Sequence, residues 1–223
     1  MFKRQFLRLL GTLCAAGAFT IAFPAQAQPV AGKDYLLVKP VQPTDAAAGK
    51  VEVLEFFFYG CPHCDNLQPA LKEWLKRKPD HVDFKRMPAV FQDSWVPLTR
   101  TYYALEALGQ IDKLHMEVFN ALHRQKVPLR DAKSIIEWIG GKGVDRKTFA
   151  EAYNSFGVTG RLQRSIALTK AYDIPGTPAI AIDGQYLTAP SMTLRQDRSI
   201  DYGRFFKVVD ELIAKAKAAK GSK

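Results

Sequence analysis

The chain is 223 residues long, 47% hydrophobic, with 32 basic against 22 acidic residues, 4 histidines and 3 cysteines. That length suits one domain, or one domain with an insertion, and a core of this size folds without needing a disulfide. The net charge of +10 is spread over segments such as Lys76-Arg77-Lys78 and Lys215-Ala216-Lys217, which read as solvated helix faces and not as a nucleic-acid surface.

The first residues have the pattern of an export signal. Lys3, Arg4 and Arg8 form a positive start, Leu9 to Phe23 is apolar, and Ala25-Gln26-Ala27 has the small-x-small form of a cleavage site. The expected product is cut after about Ala27, loses Cys14, and is left with Cys61 and Cys64 in an oxidising compartment. The apolar stretch is short for a membrane span, and no later stretch is long and apolar enough. The expected mature chain keeps a formal charge of +7.

From Gln28 to Lys50 the chain is an arm with one short strand expected at Tyr35–Val38. Val51 to Tyr59 is an apolar run broken by two acids, and it suits a central strand. Gly60 marks a turn, and a helix follows whose Leu67, Ala70, Leu71, Trp74 and Leu75 share one face, ending at Pro79. Val82–Met87 predicts a second strand, stopped by Pro88 and parallel to the first through a right-handed crossover.

Between about Gln92 and Thr169 the periodicity is helical throughout. Leu98, Tyr102, Leu105 and Leu108 share one face, and Ile111, Leu114, Val118 and Leu122 another. Three further helices are expected at Asp131–Ile139, Asp145–Tyr153 and Gly160–Tyr172, with a break at Gly140-Gly141-Lys142-Gly143. His115 and His123 read as packing or surface residues, since no acidic or cysteine partner stands at ligand spacing. Ala179–Ile182 predicts a strand, Asp183-Gly184 a hairpin turn, and Tyr202–Lys217 a last helix. The order βαβ, helices, ββα predicts an α/β domain split by an all-helical insertion, with residues 28–90 and 166–223 forming the α/β part and 91–165 the insert.

The chemistry concentrates in "EFFFYGCPHC". Cys61 and Cys64 can be a structural staple, part of a metal site, or a reactive dithiol. A staple closing so small a loop removes little entropy from the unfolded chain. A structural zinc site needs about four ligands, and no second cysteine pair exists; His63 and Asp65 complete it poorly. The dithiol fits best. Pro62 suits a first helical turn, so the helix is expected to start at about Cys61, where unpaired N–H groups and the helix dipole favour thiolate. His63 adds a ring able to carry charge or donate a hydrogen bond. Cys64, one turn further in, is expected to be the more buried. The lower the Cys61 pKa, the more oxidising the disulfide.

"EFFFYGCPHC" after a strand, the helical insertion, and "IPGTPAIAIDG" before a hairpin together resemble the DsbA-type periplasmic thiol:disulfide oxidoreductases of the thioredoxin superfamily, over essentially the whole mature chain. The resemblance implies a thioredoxin-like fold with an inserted helical domain. It implies a catalytic Cys61-Pro62-His63-Cys64 motif, and a cis-proline loop at Thr177-Pro178 that pairs with an extended substrate as an added strand. It also implies a buried acid, Glu55, beneath the dithiol, linked for proton relay to a base on the next strand. Arg86 or Lys85 is the candidate base; familiar members carry lysine, and arginine titrates less readily. Thr177 differs from the valine of the best-known oxidant and also occurs in related isomerases, but the short arm leaves no room for the extra dimerisation domain isomerases carry.

The expected activity is therefore oxidation of thiols in newly exported, unfolded proteins, with the disulfide as redox group and no metal or organic cofactor. A DsbB-type, quinone-linked membrane partner would reoxidise it. The protein is expected to be a periplasmic monomer, with apolar surface around the motif, Tyr59 included, docking clients and partner. The alternatives are a reductase or isomerase of the same fold, or a chaperone-like peptide-binding module.

Overall fold

A computed structural model describes residues 28–221, so the signal-peptide reading lies outside the described residues. Five strands form one sheet in the order β1-β5-β4-β2-β3. They are β1 (Leu36–Leu37), β2 (Val51–Phe57), β3 (Val82–Pro88), β4 (Ala179–Ile182) and β5 (Tyr186–Thr188). Only β2 and β3 run parallel, joined by helix α1 (Pro62–Arg77); the other pairs are antiparallel. The expected crossover unit is therefore present. β2 is buried at every residue, as its near-continuous apolar run requires of a central strand.

Two differences from expectation have local causes. β2 stops at Phe57, short of Tyr59, because the chain turns there toward the helix. β3 runs through Pro88, paired with Phe57. It is an edge strand of the sheet, and a proline lacking its N–H is tolerated there.

Two layers cover the sheet. On one face, α1 and the last helix, α7 (Tyr202–Gly221), press Leu67, Leu71, Trp74, Phe205 and Val209 onto Val51 and Val53. The Trp74 indole N–H donates to Asp210 Oδ1 at 2.7 Å, tying the two helices together. On the other face, Leu54, Phe56, Ala179 and Ala181 pack against Tyr172 and Ile174.

Between β3 and β4 the chain is helical, as expected: α2 (Val96–Ala107), α3 (Ile111–His123), α4 (Ala132–Gly140), α5 (Arg146–Asn154) and α6 (Phe156–Ala171). These helices pack around Leu105, Val118, Phe119, Ile135 and Phe149, in a core that also takes in Phe57, Tyr59 and Cys64. α6 starts four residues before the predicted Gly160, because the Ser155 hydroxyl accepts from the Val158 N–H at 3.1 Å and caps it there. Asp145 caps α5 in the same way, and Asp131 with Ser134 forms a capping box on α4.

The hairpin after β4 turns at Asp183 and Gly184, both at positive φ (51° and 67°). The Gln42 N–H donates to the Gly184 carbonyl at 3.0 Å. A Cβ on Gly184 would meet the Gln42 carbonyl oxygen at 2.0 Å, so only glycine allows the arm to lie there.

Candidate active site

The site begins where β2 ends. Cys61 caps α1 with extended backbone (φ −87°, ψ 116°), Pro62 follows at the first helical position, and no side chain caps the helix start. Cys61 is half-buried and Cys64 fully buried, both as thiols. The Phe58 N–H donates to Cys64 Sγ at 3.4 Å, and the Cys61 N–H to the Phe58 carbonyl at 3.0 Å.

The second strand-end loop closes over the first cysteine. Thr177-Pro178 is a cis peptide bond, and the Cys61 thiol donates to the Thr177 carbonyl at 3.3 Å. His63 is exposed and lines a groove of about 300 Å³ with Gly176, Thr177, Pro178, Leu194 and Arg198.

These surroundings split the two thiols. A hydrogen bond from the Cys64 thiol does most to lower the Cys61 pKa, to about 5. Partial burial opposes it, while the Thr177 side chain and the N–H groups of Cys64 and His63 add to the lowering. Among these contributions, that of His63 is its backbone N–H. Burial pushes the Cys64 thiol far above the ordinary thiol range, and its neighbour Cys61 adds to that. At neutral pH the pair holds one thiolate and one thiol.

Beneath the dithiol lies Glu55, fully buried. Burial raises its pKa; Arg86 and Gln68 oppose the rise. Arg86 Nε donates to Glu55 Oε2 at 3.0 Å and Gln68 Nε2 to Oε1 at 3.0 Å, while Gln68 also reaches the Cys64 carbonyl at 3.2 Å. Lys85 turns away to Glu52 at 2.9 Å and Asp83 at 3.3 Å. The base beside Glu55 is thus Arg86. Gln68 was not among the expected site residues, although a glutamine between Leu67 and Leu71 on a helix's buried face is a readable signal.

Tyr59 is not a docking residue: it is 1% exposed. Its ring packs on Phe57 and Phe119, its hydroxyl bonds His115 Nδ1 at 2.8 Å, and its carbonyl accepts from His123 Nε2 at 2.7 Å. The aromatics beside the motif are instead Phe58, stacked on Trp95 at 3.8 Å, and Phe91, edge-on to Trp95 and 47% exposed.

A half-buried cysteine at a helix start, a buried second cysteine one turn on, and a cis-proline loop against the first are the geometry of a redox dithiol. Comparison with known proteins agrees. The DSBA-like thioredoxin domain family matches residues 82–198. The thiol:disulfide interchange protein DsbA of Burkholderia cepacia is 41% identical over 191 residues, covering 86% of this chain and 89% of that protein. The chain belongs to the DsbA family.

DsbA of Bordetella pertussis is 40% identical over 217 residues, covering 97% of this chain and all of that one. Among solved structures, Pseudomonas aeruginosa DsbA superposes with a TM-score of 0.79 at 32% identity, covering 87% of this chain and 97% of the other. As a DsbA-family protein the chain is a thiol:disulfide oxidoreductase with a thioredoxin-like fold and inserted helices. The family match begins after Cys64, so the roles of Cys61 and Cys64 rest on the geometry above.

Proposed function

We propose that this protein oxidises pairs of thiols in unfolded exported proteins, using a Cys61–Cys64 disulfide, and that it works in the periplasm as a monomer. A client thiolate attacks Cys61 Sγ, the Cys61–Cys64 bond breaks, and Cys64 leaves as thiolate and takes a proton. A second client thiolate then attacks the client sulfur of the mixed disulfide. Cys61 leaves as thiolate, the client keeps the new disulfide, and two electrons stay on the reduced dithiol. A DsbB-type, quinone-linked membrane protein then removes them.

The observation that carries this reading is the split between the two sulfurs. Cys61 is reachable and stable as thiolate, which makes it both the point of attack and a good leaving group. Cys64 is buried and strongly favours the thiol, so it suits the resolving position. The groove beside His63, Thr177 and Pro178 suits an extended peptide read mainly through its backbone. The Phe58–Trp95–Phe91 group offers apolar contact next to it. Glu55, with Arg86 and Gln68, is the proposed proton route to Cys64. Arginine holds its own proton at any working pH, so in this pair the carboxyl is the group that titrates. The disulfide itself is the redox group, and the chemistry needs no metal or organic cofactor. The division into residues 28–90 with 166–223 and an insert at 91–165 belongs to the same proposal.

Equilibrating the protein with glutathione buffers tests the reading. A disulfide more oxidising than the glutathione pool is expected, and Cys64→Ala should accumulate client mixed disulfides on Cys61. A strongly reducing potential would overturn oxidation as the activity and favour reduction.

A further inference from the structure

Asp65 stands four residues after Cys61, and its N–H donates to the Cys61 carbonyl at 3.3 Å. Cys61 caps α1 with extended backbone, and Asp65 is the acid of the first helical turn behind it, where a carboxylate's charge opposes a thiolate formed at the helix start. Asp65 is also buried, 6% exposed, packed into the same turn as buried Cys64. A buried carboxylate requires a partner.

That partner comes from the helical insertion. Arg124 Nη1 donates to Asp65 Oδ1 at 3.1 Å, and the arginine side chain is more than half exposed. Arg124 is the residue directly after α3, held in the helix path by its N–H to the Asn120 carbonyl at 3.0 Å. Its neighbour His123 bonds the Tyr59 carbonyl. The end of α3 therefore grips the active-site segment on both sides of Cys61-Pro62-His63-Cys64, at Tyr59 and at Asp65. The charged and titratable groups placed around this turn are His63, Cys64 and Asp65 from α1, His123 from α3 and Arg124 just after it.

We propose that Arg124, which touches neither cysteine, is a positioning residue that sets how oxidising the dithiol is, by neutralising Asp65 beneath Cys61. The inference rests on the redox-dithiol reading of the site. With the arginine in place, the first turn of α1 carries an acid that costs the thiolate little. Without it, the Asp65 charge opposes the Cys61 thiolate, the reduced state loses part of its advantage, and the disulfide becomes less oxidising. The helical insertion thus contributes to the redox chemistry through one ion pair.

The test compares wild type with R124A, R124K, D65N and R124A/D65N. Thiolate absorbance near 240 nm gives the Cys61 titration, and glutathione equilibration gives the exchange constant. R124A should raise the Cys61 midpoint and weaken oxidation of glutathione by about 1.5- to 2-fold, the scale of a like-charge pair within one helix turn. R124K and R124A/D65N should return to wild type. D65N alone should titrate at or below wild type, and it serves if R124A does not fold. The proposal is overturned if R124A behaves as wild type, if adding D65N fails to reverse the change, or if D65N alone raises the midpoint. A wild-type protein no more oxidising than glutathione would sink the oxidase reading separately, since the R124A shift remains measurable against it.

Discussion

The Cys61 thiol and the Thr177 carbonyl meet at 3.3 Å although 116 residues separate them in the chain. The contact brings the sulfur against the cis-proline loop proposed to pair with an extended peptide, and tertiary structure alone makes that meeting. It does not, however, dominate the chemistry of the sulfur. The Cys64 thiol does, and that ranking is measurable.

Reduced protein followed near 240 nm should show one thiolate appearing with a midpoint of about 5 and no second one through neutral pH. Cys64→Ala removes the largest stabilising hydrogen bond, and should raise the midpoint by about one unit, the scale of one hydrogen bond to a charged group. An unchanged midpoint would assign the lowering to the helix start and the Thr177 loop instead.

The same shift ties folding stability to pH. The folded Cys61 pKa lies below its unfolded value of 9.0, so the thiolate favours the fold above that value, and this contribution disappears as pH falls through about 5. Relative to Cys61→Ala, the reduced protein should gain stability steadily between pH 5 and pH 9 in urea titrations. Solvent screening of the half-exposed sulfur keeps the gain at pH 7 to about 1–2 kcal/mol. A flat difference across that range would contradict a depressed pKa.

Glu55 should act in the opposite sense. Burial raises its folded pKa above 4.5, so ionising it works against the fold as pH rises from that value through the raised one. Glu55→Gln removes the buried charge but leaves one acceptor oxygen for two donors, Arg86 Nε and Gln68 Nε2. Its urea midpoint relative to wild type should rise as pH climbs from 4.5 to neutral, on top of a constant loss from the unpaired donor. The substitution should also slow release of Cys64 from a mixed disulfide, measured by stopped flow, if the carboxyl delivers the proton.

Tyr59→Phe tests the aromatic junction under the motif. The tyrosine hydroxyl is the only hydrogen-bond partner described for His115, whose Nε2 is unpaired within the described residues. Losing it leaves a buried imidazole unsatisfied at both nitrogens, at a cost of about 1–3 kcal/mol. The expected result is a lower urea midpoint with an unaltered Cys61 titration. A change in the titration would mean that Tyr59 holds the motif itself.

The sequence by itself determined the elements and their order. Period-2 and period-3.6 patterns, the Pro62 helix start and the Asp183-Gly184 turn are local signals, and each produced the strand, helix or hairpin it predicts. It also located the dithiol, because the Cys-x-x-Cys spacing and the Pro62 helix start are local signals, although the largest lowering of the Cys61 pKa comes from Cys64. Only the tertiary structure decided which side chains meet. Glu55 is opposite Arg86 in the β2–β3 ladder, and side chains alternate faces along a strand. Arg86 therefore shares the face of Glu55, while Lys85 lies on the face of Glu52, and no property of the two bases alone distinguishes them. Tyr59 sits beside the motif and so stood as a candidate for the docking surface, but β2 has already ended there, and the chain turns the ring under the insertion. The pairing joins Asp65 on α1 to Arg124 just past the end of α3, residues 59 apart in the chain. Local patterns arise from neighbours along the chain and survive in the sequence; register and inter-helix contacts arise from how the finished elements pack, and that exists only in the folded molecule.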